Sequence, residues 1–423
     1  MGNSNDKWIS HIKNGMVKQI INRIKRIIGN VVLIKRNSRY IKELDSKKRK
    51  NVITVVFICQ MPSLWNSMKS IYDEAINNSS MKVYLVAIPE KQSISGIHQN
   101  IYGENMSYSH LLSMGYDVIN GFVNNSFFDL KEISPDYVFL PRPYDVHLPQ
   151  EYTSSYLAKF TRVCYVPYGF SITKECMSTI FNYSFLRNTY LFFPDSEASY
   201  SYVKNLYLKE HCNWNKIGVC GFPRFDLLKQ AENNNSVKTF LWTPRWTTNR
   251  DICGSNFFNY IDHLIEFFLQ NKHLRLIFRP HPLLLKNFIS TGELTKDRYN
   301  VIVKIFNEND NLFLNDPSTD YIDVFNDVDA MITDPTSLLP EFYYTGKPII
   351  YCDNSDSFND AGRIMTNGLY YASSWDDIQK YLTALSQGQD DLKDKRFESL
   401  KKLNPTYHNG ERICKYLLDD YFN

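Results

Sequence analysis

Two hydrophobic periodicities divide the chain. Residues 8–36 place Ile9, Ile12, Met16, Ile20, Ile24, Ile27 and Val31 at three- and four-residue spacing, the pattern of an amphipathic helix. From residue 52 onward the pattern becomes short continuous apolar runs separated by helical stretches. The first run is Val52 to Ile58. Such runs belong to parallel strands buried on both faces. Val83–Ile88, Tyr137–Leu140, Val163–Val166 and Tyr190–Phe193 continue the series. A second series follows at Thr239–Thr243, Leu274–Phe278, Asn311–Leu314, Ala330–Thr333 and Pro348–Tyr351. The alternation predicts an α/β protein with two doubly wound, Rossmann-like units facing across a cleft. The predicted boundaries are 1–50 for the helix and a charged linker (37–50), 51–230 for the first unit and 231–423 for the second. An exposed linker is expected near 226–237. No internal repeat or low-complexity tract interrupts this plan.

Charge changes the reading of the first segment. The chain of 423 residues carries a net charge of +3, but residues 1–50 hold 14 basic and 3 acidic side chains. The remainder holds 34 basic and 42 acidic ones. A mildly acidic body argues against nucleic-acid binding. The helix has no acid between Asp6 and Glu43, while Lys13, Lys18, Arg23, Lys25, Arg26, Lys35 and Arg36 surround its apolar stripe. That combination fits an anionic membrane surface, and a helix packed on the body or on a partner subunit is the alternative. No apolar run approaches the roughly 18 residues of a membrane span, and no signal peptide is evident. A cytoplasmic protein, peripheral on the inner membrane face, is the expectation. The eight cysteines form no CxxC pair, which argues against a zinc ribbon or thioredoxin chemistry, and they are expected to be free and mostly buried. No acidic DxD pair stands at an obvious strand end of the first unit, and Asp327-Val328-Asp329 has that spacing only on the approach to a strand of the second, which favours metal independence and assigns no metal ligand. The aromatic share of 15% fits a cleft for sugars or bases, and equally a codon bias.

Chemistry concentrates after the strands of the second unit. Arg279-Pro280-His281-Pro282 follows one strand. Proline fixes φ on both sides of His281, so the turn is stiff. Arg279 supplies a fixed positive charge, and His281 can stabilise or protonate a leaving phosphate. Asp334-Pro335-Thr336-Ser337 links another strand to a helix, where hydroxyls and free N–H groups can hold a phosphate or simply cap the helix. Glu341, in the first helical turns, can bind a ribose or complement the helix dipole. Trp242-Thr243-Pro244-Arg245 adds Thr243 and Arg245, which can hold a diphosphate, an exposed surface arginine being the other reading, and the Gly221-Phe222-Pro223-Arg224 turn is expected to face the same cleft. A Walker loop and a GxGxxG fingerprint are both missing.

The order of Gly-Phe-Pro-Arg-Phe-Asp, Trp-Thr-Pro-Arg-Trp, Arg-Pro-His-Pro, Asp-Val-Asp-Ala-Met-Ile-Thr-Asp-Pro-Thr-Ser and Gly-Lys-Pro-Ile-Ile-Tyr resembles the CDP-glycerol glycerophosphotransferase family. These are the teichoic-acid primases and polymerases and their capsule-synthesis relatives. Asn409-Gly410-Glu411-Arg412 is similar to the family's closing motif, so the resemblance spans roughly 160–415. It implies a glycosyltransferase-B fold, a CDP-alcohol donor as substrate with no cofactor firmly implied, and peripheral membrane attachment. His281 matches the family's second-domain histidine, and Thr336 and Ser337 fall at its serine pair. One departure stands out. The family's first domain carries a His-Gly-Thr turn with the presumed base, whereas this chain reads Pro167-Tyr168-Gly169-Phe170. Gly169 remains and the histidine is gone. Tyr168 can fill the histidine's space but not its proton chemistry, since an unperturbed phenol has a pKa of about 10. By order along the chain, Asp145 and His147 are the nearest alternative bases, and a polar surface loop is the other reading of both.

The expected activity is transfer of glycerol- or ribitol-phosphate from a CDP-activated donor to a hydroxyl of a cell-surface polysaccharide or lipid-linked acceptor. The alternative is a nucleotide-sugar glycosyltransferase of the same fold in capsule or O-antigen synthesis. A membrane-bound scaffold is a third reading, under which the aimed polar turns lack a purpose.

Overall fold

The computed structural model describes residues 5–46, 51–92, 101–173, 177, 181–212, 214–231, 237–250, 254–316, 320–352 and 358–423. Two parallel sheets organise these residues. The first contains β1 (Ile53–Cys59), β2 (Met81–Ala87), β3 (Val118–Asn120), β4 (Tyr137–Leu140), β5 (Arg162–Tyr165), β6 (Leu191–Phe192) and β7 (Lys216–Ile217). Its spatial order is β7-β6-β5-β4-β1-β2-β3, with every pairing parallel. The second contains β8 (Thr239–Thr243), β9 (Arg275–Phe278), β10 (Leu312–Leu314), β11 (Ala330–Thr333), β12 (Ile349–Tyr351) and β13 (Leu369–Tyr371). Its order is β10-β9-β8-β11-β12-β13, again all parallel.

Each sheet therefore reverses direction once, between β1 and β4 in the first and between β8 and β11 in the second. Ligands of open α/β sheets bind in the crevice at the carboxyl ends of such strands. Burial explains the strands: Ile53, Val55, Val56, Phe57 and Ile58 are wholly buried, so the apolar run has no solvent face. The edge strands β3 and β13 were not expected, because three residues carry too little pattern to separate strand from loop.

Helix α1 (Asn5–Ser46) runs farther than the predicted segment. Residues 37–46, expected as a linker, are helical. They contain neither Gly nor Pro, Arg39 pairs with Glu43 one turn on at 2.7 Å, and Ile41 packs against the first core. Positions 47–50 of that linker lie outside the described residues, as do the side chains of Ile9, Ile12, Lys13 and Met16.

Helix α2 (Asn66–Ile76) covers the first sheet and meets the chain's final helix, α5 (Asn409–Phe422). Ile413, Cys414 and Leu417 of α5 belong to the same core as Phe57, Met68 and Ile71. The last 15 residues thus complete the first unit, although the predicted boundaries put them in the second. Asp226 fastens the return by accepting from Asn409 N at 3.0 Å and Gly410 N at 2.9 Å. Gly410 permits close approach, since a Cβ there would lie 2.4 Å from Ser70 O. In the linker, Pro223–Leu227 forms a 3-10 turn, while 232–236 lie outside the described residues. Cys59, Cys164, Cys212, Cys220, Cys352 and Cys414 are buried free thiols, and Cys176 and Cys253 lie outside the described residues.

Candidate active site

Strands β8, β9 and β11 end on one rim, and each delivers a polar turn. Thr243 closes β8, Arg279 to Pro282 follow β9, and Asp334 to Ser337 lead from β11 into α4 (Leu338–Tyr343). Facing them, Ser63 and Leu64 follow β1, and Tyr168 and Gly169 follow β5. Together they enclose a cavity of about 180 Å³. Whole-ligand pockets run from roughly 300 Å³ upward, so this volume suits a diphosphate rather than an entire nucleotide. Gly169 brings the units together, because a Cβ there would sit 4.0 Å from Ser337 Cβ.

His281 lines the cavity beside Trp246, with ring centroids 6.2 Å apart. Its Nδ1 accepts from Leu283 N at 3.1 Å, which leaves the proton on Nε2. Burial and then the nearby Arg245 charge push its pKa down to about 4. The imidazole is therefore neutral at pH 7 in the unliganded protein and offers its Nε2–H as a donor. A bound phosphate would oppose the Arg245 effect and raise that pKa.

The Arg279 guanidinium is buried, and burial lowers its pKa while leaving it charged. It donates to Asn315 Oδ1 and, at 3.1 Å, to Asp316 O, and lies 5.8 Å from the Tyr321 ring centroid. Thr243 donates to Thr333 Oγ1 at 2.8 Å, and Thr336 Oγ1 lies 3.3 Å from the same oxygen. The hydroxyls of Thr243 and Thr336 thus share a network under the phosphate-sized space. Ser337 takes the N-cap position of α4 and makes no side-chain capping bond.

The floor consists of residues that the sequence did not single out for this role. Arg224 Nη1 donates to Glu341 Oε1 at 3.0 Å, and Tyr321 OH donates to Glu341 Oε2 at 2.6 Å. Arg224 also stacks 5.2 Å from the Tyr321 ring centroid. Burial raises the Glu341 pKa, and Arg224 and Tyr321 oppose that rise. Glu341 is thereby committed to the protein rather than open to a ribose. The Gly-Phe-Pro-Arg turn was a sequence signal for Arg224. Tyr321 had none, since it sits in an aperiodic loop.

Several predicted residues do other work. Asp334 faces away from the cavity. It accepts from Arg245 N at 2.8 Å, Ser255 Oγ at 3.1 Å and Asn256 Nδ2 at 2.9 Å, so it braces two loops instead of binding phosphate. Arg245 bonds Pro335 O and does not line the cavity, acting on His281 through its charge. Asp145 is not an available base, because it accepts from Ser154 N at 2.7 Å and Ser154 Oγ at 2.6 Å. His147 is exposed and outside the cavity. Lys347 of the Gly-Lys-Pro turn donates to the carbonyls of Phe325, Asn326 and Val328, closing the end of α3 (Ile322–Asp327). Among the described residues, no cluster of three His, Cys, Asp or Glu side chains could hold a metal.

The chain is 25% identical over 215 residues to the minor teichoic acid biosynthesis protein GgaB of Bacillus subtilis (strain 168). That match covers 42% of this chain and 22% of GgaB, so the chain spans about a fifth of that relative. The wall teichoic acid polymerase TagF, in a structure with CDPG, superimposes with a TM-score of 0.57 at 15% identity, covering 96% of this chain and 98% of that one. The UDP-GlcNAc 2-epimerase of Neisseria meningitidis, bound to UDP-GlcNAc, superimposes with a TM-score of 0.54 at 14% identity, covering 87% of this chain and 100% of that one. At such identities these structures establish the shared glycosyltransferase-B-type fold alone. The sequence profile of the CDP-glycerol:poly(glycerophosphate) glycerophosphotransferases matches residues 169–403, more than half of the chain, and the chain belongs to that family.

Proposed function

We propose that the protein transfers a polyol phosphate, glycerol- or ribitol-phosphate, from a CDP-activated donor to a hydroxyl of a cell-envelope polymer or lipid-linked acceptor. The observation that carries this reading is the diphosphate-sized cavity, where Arg279, His281, Thr336 and Ser337 converge opposite Tyr168 and Gly169. The acceptor oxygen would attack the β-phosphorus, the bond from that phosphorus to the bridging oxygen would break, and CMP would leave. Arg279 and the Nε2–H of His281 stabilise charge on the phosphate oxygens, with Thr336 and Ser337 adding hydroxyl and backbone donors. Because the β-phosphorus keeps its polyol ester, the product is a phosphodiester, and the acceptor hydroxyl gives up its proton as its oxygen bonds to phosphorus. The proton can then pass to solvent, which accommodates the absence of the first-domain histidine.

Helix α1 supplies the proposed membrane contact. Ile20, Ile24, Ile27, Ile28 and Val31 are exposed along it, in company with Lys18, Arg23, Lys25 and Lys35. The helix is held on the body by Arg26, 3.1 Å from Glu210 Oε1, and by an ion pair between Asp45 and Arg162. Among the described residues no helix is long and apolar enough to cross a membrane, so attachment would be peripheral, on the inner face.

The test is incubation with CDP-glycerol, CDP-ribitol and UDP-, GDP- or CMP-sugars together with a glycerophosphate primer. CMP release coupled to primer extension is expected. Turnover of a nucleotide sugar without CMP release from the CDP-alcohols would establish the glycosyltransferase reading instead. Sedimentation with phosphatidylglycerol vesicles, but not phosphatidylcholine vesicles, tests the helix. Equal partition between the two would remove the electrostatic argument.

A further inference from the structure

The switch point of the second sheet holds the cavity just described. The first sheet has its own, between β1 and β4, and its residues remain unassigned. Gln60 follows β1 and is buried. Its Nε2 donates to His147 O at 2.8 Å and Pro89 O at 3.2 Å, so it ties the loops after β2 and β4 together. Its Oε1 accepts from Arg142 Nε at 3.0 Å and Nη2 at 2.8 Å. Arg142 Nη1 contacts Met61 Sδ at 3.3 Å. These bonds orient the guanidinium at the carboxyl end of the sheet, yet it remains partly exposed.

The surroundings are cationic. The His147 side chain is exposed but partly shielded by its surroundings, and this shielding, then the charges of Arg142 and Lys91, lowers its pKa. Burial lowers the Arg142 pKa, and Glu90, Tyr168 and Tyr144 oppose that from a distance, while the hydrogen bonds given for its guanidinium among the described residues go to Gln60 and Met61 rather than to a carboxylate. The crevice adjoins the donor cavity through two phenols: Tyr144 OH lies 3.3 Å from Tyr168 OH, and Tyr168 lines the cavity.

We infer that Arg142, oriented by Gln60, holds an anionic phosphate of the acceptor, with Tyr144 and Tyr168 spanning the distance to the donor phosphate. A growing polyol-phosphate chain carries a phosphodiester next to its terminal hydroxyl, and a fixed guanidinium suits that group. The subsite would place the hydroxyl by its neighbouring phosphate, an orienting role rather than an acid–base one. This inference rests on the transferase reading above.

Binding and turnover separate the two ideas. A fluorescent oligomer of glycerol phosphate is titrated into the full-length protein without donor, at several salt concentrations. Wild type is expected to bind with salt-dependent affinity, Arg142→Gln at least tenfold more weakly, and Arg142→Lys in between. In CMP-release assays, Arg142→Gln should raise KM for the oligomer at least tenfold and KM for CDP-glycerol less than twofold. Gln60→Ala should reproduce part of this change, since it frees the guanidinium without removing it. Unaltered oligomer affinity in a folded Arg142→Gln protein, verified by an unchanged melting profile, would overturn the subsite. So would failure of wild type to bind the oligomer. If wild type binds the oligomer in an Arg142-dependent way but releases no CMP from CDP-alcohols, the subsite stands and the donor chemistry falls.

Discussion

Arg224, on the turn leaving the first sheet, and Glu341, on the helix after β11, form an ion pair at 3.0 Å with both side chains at least 97% buried. Neither residue has water to fall back on. Removing one partner leaves an unpaired charge in a dry site, a change that costs about 3–5 kcal/mol. Arg224→Ala is therefore expected to lower unfolding free energy by about that amount, read from the midpoint shift in denaturant melts. Because the pair also fixes Tyr321 beneath the cavity, donor affinity should fall in the same variant. An unchanged melting midpoint would contradict the buried pairing.

His281 gives a pH signature. Its folded pKa is about 4, below the ordinary value near 6.5. The unfolded chain thus takes up the proton first as pH falls. The associated stability is complete above about pH 6.5 and is lost as pH drops toward 4. Arg245→Gln removes one cause of the depression, so the imidazole pKa measured by NMR titration should rise. A fall, or no change, would mean that Arg245 does not act on the ring.

His281→Asn should reduce kcat for CMP release by roughly 10²–10³, the usual cost of losing one donor to a developing oxyanion. The thermal midpoint should change little, because among the described residues the ring's hydrogen bond is the one it accepts from Leu283 N. Rates within twofold of wild type would exclude His281 from the chemistry.

Asp145→Asn tests the opposite expectation. The carboxylate serves Ser154 and lies outside the cavity, so kcat should stay within about threefold of wild type while stability falls by about 1 kcal/mol, as for a lost cap. A hundredfold loss of kcat with normal stability would restore Asp145 as a base.

Gly410→Ala probes the packing of α5 on α2. The new Cβ would meet Ser70 O at 2.4 Å, a clash with backbone rather than with a flexible side chain. Overpacking of this kind costs about 1–3 kcal/mol, and differential scanning calorimetry should show a lowered midpoint.

The long strands were legible because a run such as Val55-Val56-Phe57-Ile58 needs both faces covered, whatever surrounds it. Arg279, His281, Thr336 and Ser337 were legible because proline-flanked or hydroxyl-rich turns at strand ends announce themselves. Asp334 was misread since a carboxylate beside a phosphate turn looks the same in sequence whether it faces the ligand or the neighbouring loop. Only the positions of Ser255 and Asn256, nearly eighty residues upstream, decide it. Tyr321 and the return of α5 to the first sheet are likewise long-range facts, and local periodicity carries no information about them.

That return has a consequence for how the chain is made. The first core closes only when Ile413, Cys414 and Leu417 are present, although its strands end at Ile217. At about 5–20 residues per second, ribosomal synthesis of the intervening segment takes on the order of 10–40 s. Throughout that interval the α2 face that α5 will cover stands uncovered, which is where a nascent-chain chaperone would find apolar surface to hold.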